Sequence, residues 1–160
     1  MKILTILSLI LVHAVSHSIL DFGAIKNDTT WLAESRNAKA IENAFRAAHN
    51  KDKGDKKVVI PEGITISSLP VHVINVTDVE FVIDGTLLIS KNYEAFLEWD
   101  IKHCSNETDK CLKMPQFLGF VGVEDITFRG KGEIDGQGYM WWVREVLRID
   151  PIGRPTMVHI

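Results

Sequence analysis

The sequence is short of several things. It has only two cysteines and five prolines in 160 residues, too few for a disulfide-scaffolded miniprotein or a proline-rich linker. No excess of one charge is present: 18 basic residues against 21 acidic ones give a formal charge of -3. Nucleic-acid binding needs a clustered basic surface, and the densest basic run, Lys51, Lys53, Lys56 and Lys57, is broken by Asp52 and Asp55. It reads as a solvated loop. Two adjacent aspartates occur nowhere, and no glycine flanks a histidine. With 46% apolar and 24% charged residues, the chain has the balance of one globular domain, neither disordered nor fibrous.

One long apolar run exists, and it stands at the start. Lys2, the run Ile3 to Val12 and the small residues Ala14-Val15-Ser16 match the three regions of a secretory signal peptide. Residues 1–18 are therefore expected to be a leader cleaved after Ser16 or Ser18, the run being short of the roughly 20 residues that span a bilayer. The mature chain is expected outside the cell and free of the membrane. In that oxidising compartment Cys104 and Cys111 are expected to pair, two free thiols or a metal half-site being the other readings. Three sequons, at Asn27, Asn75 and Asn106, are candidate glycosylation sites.

The mature chain opens with one helical pattern. Ala38, Ile41, Ala44, Phe45 and Ala48 lie on one stripe, Ser35 or Asn37 is placed to cap the start, and the end falls at Asn50 to Gly54. This is expected to be the single long helix, from about Asn37 to Asn50. From Val58 onward the texture becomes short β-type runs cut by turn residues: Val58 to Ile60, Ile64 to Ile66, Val71 to Ile74, Val79 to Ile83 and Thr86 to Ile89.

These runs repeat. Laying Val73–Leu87 over Phe120–Ile134 matches Val76 with Val123, Asp78 with Asp125, Val79 with Ile126, Phe81 with Phe128, Gly85 with Gly132 and Leu87 with Ile134. The offset is 47 residues, and it contains a polar insert, Lys91 to Gln116. Removing the insert leaves a step of about 21, within the range of stacked repeats, and Val58 to Val79 is the same step. A parallel β-solenoid is favoured over a sandwich, with the helix capping its open end.

Asp21-Phe22-Gly23-Ala24, the Ala40-Ile41 to Phe45 helix, Val58 to Gly63, Gly85 to Leu88, Gly130 to Trp142 and Arg154-Pro155 resemble, in order, the N-terminal part of the polygalacturonase family, glycoside hydrolase family 28. The glycine-rich segment with Trp141-Trp142 and Arg154-Pro155 is the more particular part. Lys26-Asn27-Asp28 departs from the Gly-Asp-Gly turn usual in relatives. The resemblance implies an all-β, right-handed parallel β-helix with an N-terminal capping helix. It further implies a secreted, monomeric hydrolase of α-1,4-galacturonan in pectin, inverting, without metal or cofactor. The family's Asn-Thr-Asp, Asp-Asp, Gly-His-Gly and Arg-Ile-Lys motifs would follow the Arg154-Pro155 strand and do not occur here. No catalytic residue is therefore assigned, and residues 19–160, ending in the apolar run Thr156 to Ile160, read as a partial domain. A non-catalytic carbohydrate-binding or structural protein of the same fold is the alternative.

Among single residues, Trp141 and Trp142 are expected to pack a corner, one inward and one outward, rather than stack on sugars. Asp135 is expected to serve the turn at Gly136. The spacing Gly130, Gly132, Gly136 does not fit a phosphate loop, and His72 and His159 read as packed or surface residues.

Overall fold

The computed structural model describes residues 16–50, 56–103, 116–149 and 154–160. Residues 1–15, Cys104, Cys111 and Asn106 lie outside them, so the leader, the cysteine pairing and the third sequon are not addressed structurally. No described helix is long and apolar enough to cross a membrane.

The chain is mostly strands in parallel sheets, with a few helices. Strand β1 (His17–Ser18), a 3-10 turn (Ile19–Phe22) and helix α1 (Trp31–His49) come first. Strands β2 (Lys57–Ile60), β3 (Thr65–Ser68), β4 (Val71–Ile74), β5 (Thr77–Ile83) and β6 (Thr86–Ile89) follow. Then come α2 (Tyr93–His103), β7 (Gln116–Val121), β8 (Glu124–Arg129), β9 (Glu133–Asp135), α3 (Gly138–Val146) and β10 (Thr156–His159). Three sheets collect them in the orders β1-β2-β5-β8, β3-β6-β9 and β10-β7-β4. Every pairing among the described residues is parallel.

The register is the one the repeat implies. Val79 faces Ile126, Phe81 faces Phe128 and Leu87 faces Ile134. Asp78 and Asp125 both turn the chain in the left-handed region, at φ 55° and 52°, which aspartate tolerates better than most residues. Inward positions stack into a ladder of rings: Phe45 lies 5.1 Å from Phe81 and 5.7 Å from Phe120, and Phe128 lies 5.9 and 5.5 Å from Phe81 and Phe120. Edge-to-face rings at these separations add attraction beyond the area they bury.

Four expectations need correction. Val58 faces Phe81, not Val79, so that step is 23 residues; the corner Pro61 to Ile64 is longer than its successor Asp84-Gly85. Helix α1 starts at Trp31, where the Thr30 hydroxyl accepts from the Ala33 N–H. Ser35 and Asn37 lie inside the helix and are buried. The Asn37 side chain accepts from the Ile25 N–H and donates to the Ile25 and Ser67 carbonyls, so loop, helix and β3 are tied through one amide. Helices α2 and α3 also make the chain less purely β than expected. The insert begins as a helix because Asn92 caps it, accepting from the Ala95 N–H, and Phe96 is buried against Trp141. Helix α1 packs its apolar stripe against β2 to β5, with Ile41, Ala44 and Phe45 fully enclosed in the core.

Candidate functional site

Among the described residues, the sequence-derived candidates are dispersed, not convergent. Asn27, exposed and left-handed at φ 57°, exchanges two hydrogen bonds with the Thr65 backbone, its N–H donating and its Oδ1 accepting. Asn75, also exposed and left-handed, follows β4 and donates its N–H to the Val121 carbonyl. Asp135 does serve its turn, Oδ1 accepting from the Gln137 N–H at 2.7 Å. Asp28 accepts from the Thr30 N–H, and that bond with the Thr30 hydroxyl holds its carboxyl below the usual aspartate range. The neighbouring left-handed Asn27 replaces the turn geometry that glycines would otherwise supply.

The two tryptophans divide as expected. Trp141 is buried in a cluster with Tyr93 and Phe96, while Trp142 is 52% exposed. Arg144 lies over the Tyr93 ring, 4.1 Å from its centroid, and fixes the buried side of α3. Tyr139, Trp142 and Val146 fall on the opposite stripe at helical spacing, all exposed. Two rings on one face can take a sugar's apolar side, since aromatic faces bring large area at low entropic cost.

A second feature lies between α1 and β4. A pocket of about 130 Å³ is lined by Glu42, Arg46, His49 and the residues from His72 to Val76. Glu42 accepts from the His72 N–H at 2.9 Å, and His49 Nδ1 accepts from the Thr77 N–H at 3.2 Å. Because Nδ1 accepts, a neutral His49 carries its proton on Nε2. Sequence reasoning missed this pocket, although Glu42, Arg46 and His49 stand at helical spacing beside the apolar stripe, a legible signal.

Glycoside hydrolysis needs two carboxyl groups facing across the bond, and the pocket offers Glu42 alone. Among the described residues no group of three or more histidines, cysteines and acids could hold a metal. Neither protein-family models nor curated proteins yield a match to this chain.

Proposed function

We propose that this chain forms the N-terminal portion of a secreted, polygalacturonase-like glycosidase built as a right-handed parallel β-helix. Its part is to supply scaffold, and the hydrolysis of α-1,4-galacturonan by inversion belongs to coils carrying the Asn-Thr-Asp, Asp-Asp and Gly-His-Gly motifs. The observation that supports this most is the register. The 47-residue spacing of Thr86 and Glu133 joins the same stacked positions at which the family-like glycine corner recurs. Sequencing the transcript beyond the Ile160 codon is the test. In-frame catalytic motifs are expected, and their absence would sink the enzyme reading.

Secretion adds a constraint. His17 and Ser18 pair with Val58 and Val59, and Ser18 Oγ accepts from the Leu20 N–H. Cleavage after Ser16 keeps this strand, so it is the site we propose over cleavage after Ser18.

The exposed face of α3 favours a second reading, a carbohydrate-binding protein without catalysis. If Tyr139 and Trp142 carry binding, the Trp142→Ala chain loses about tenfold in affinity for polygalacturonate, from the loss of roughly 1.4 kcal/mol of stacking. Affinity electrophoresis measures it. An unchanged mobility shift would remove α3 from binding.

A further inference from the structure

Asn75 is a sequon residue and also a wall of the pocket between α1 and β4. We propose that the first N-acetylglucosamine of a glycan on Asn75 docks in that pocket, so that the modification completes the packing between the helix and β4. The inference rests on the proposed passage through the secretory pathway.

The surroundings of Asn75 favour a sugar over water. Its turn is left-handed, φ 54°, and its amide lies against Gly122, where an added Cβ would stand 2.5 Å from Asn75 Oδ1. Glycine at position 122 therefore leaves room for this amide. Beside it the paired Ile74 and Val121 are 48% and 56% exposed, an apolar strip that a sugar ring's carbon face can cover. The polar edge of the same ring meets Glu42, Arg46 and His49, an acceptor and two donors in one wall. At about 130 Å³ the pocket is well below the size of a drug-sized ligand site, which limits any occupant to a small group.

Asn27 lacks such a setting. Its Oδ1 is held by the Thr65 N–H. Thr77, the third residue of the Asn75 sequon, donates its N–H to His49 and sets its hydroxyl 3.4 Å from the same ring nitrogen. The modified turn and the C-terminal end of α1 are thus one connected unit, and a sugar there bears directly on the helix.

The test expresses the full chain from Met1 in a eukaryotic secretory host and trims its glycans enzymatically to the first N-acetylglucosamine. Peptide mass spectrometry is expected to find that sugar on Asn75. His49→Ala should then lower the Tm of the trimmed protein at least twice as far as it lowers the Tm of the Asn75→Gln protein, because only the former loses a sugar contact. Should His49→Ala fail to fold, Arg46→Ala, at an exposed position, replaces it in the same cycle. A secreted chain with Asn75 bare, or equal Tm shifts in the two backgrounds, would overturn the docked sugar and leave secretion standing. A chain retained unglycosylated inside the cell would overturn the secretory reading and the docked sugar together.

Discussion

Replacing Gly132 with alanine is expected to destabilise the fold by about 3 kcal/mol or more, whereas Gly138→Ala stays within about 0.5 kcal/mol. A Cβ at Gly132 would stand 1.9 Å from the Gly85 carbonyl oxygen and 2.7 Å from the Asp84 carbonyl carbon. Both obstacles are backbone, so no rotamer change relieves them. Moving β9 away would break the bonds that hold it, Gly132 N–H to Ile83 O at 2.8 Å and Glu133 N–H to Gly85 O at 3.1 Å. The same close approach recurs one level down, where a Cβ at Gly85 would meet the Pro61 and Ile64 carbonyl oxygens at 2.4 and 2.6 Å. Glycine recurs at this corner because each strand entry lies directly on the backbone beneath it. At Gly138, in the first turn of α3, nothing lies within 4 Å of the added atom. Urea denaturation followed by far-UV circular dichroism measures both. Equal midpoints for the two variants would contradict the stacking of β9 on β6.

That glycine column explains what could be read from the sequence and what could not. A stacked sheet needs the same inward positions and the same close corner at each level, and both leave marks: Phe81 with Phe128, Leu87 with Ile134, Gly85 with Gly132. Lengths of other corners are unconstrained by stacking. Hence Pro61 to Ile64 could outgrow Asp84-Gly85 and upset the first step without disturbing the sheet. The start of α1 was hidden for a different reason. Trp31 and Leu32 are more than half exposed, so they contribute nothing to the apolar stripe that marks a helix. Helix α3 follows glycines that also spell a turn, and its packing depends on Tyr93 and Phe96, far away in sequence. The exposed aromatic stripe could be anticipated only as far as the division of Trp141 from Trp142. The helical wall of the pocket, Glu42, Arg46 and His49, was legible as spacing, whereas its other wall required knowing which side of α1 meets β4.

Glu34→Ala is expected to cost about 3 kcal/mol, although glutamate on a helix usually signals a solvent-facing position. Glu34 is only 3% exposed. Its two carboxylate oxygens accept from different hydroxyls, Ser67 on β3 and Ser90 just beyond β6, each at 2.7 Å. Since β3 and β6 are stacked neighbours, one side chain clamps the first turn of α1 to two successive levels of the sheet. A negative group there also meets the favourable end of the helix dipole. Removing the carboxylate takes the acceptor from two buried hydroxyls, at about 1–3 kcal/mol each, and opens a void; relief from burying a charge offsets part of this. Glu34→Gln separates the contributions. The amide keeps the volume and one acceptor oxygen, and its NH2 can donate to the second serine, whose oxygen has lone pairs to accept. A loss of about 1 kcal/mol or less is therefore expected for glutamine. Denaturation midpoints give the two energies, and hydrogen exchange at the β3 and β6 amides locates the loss. If glutamine costs as much as alanine, charge rather than bridging geometry holds α1 over the stacked strands.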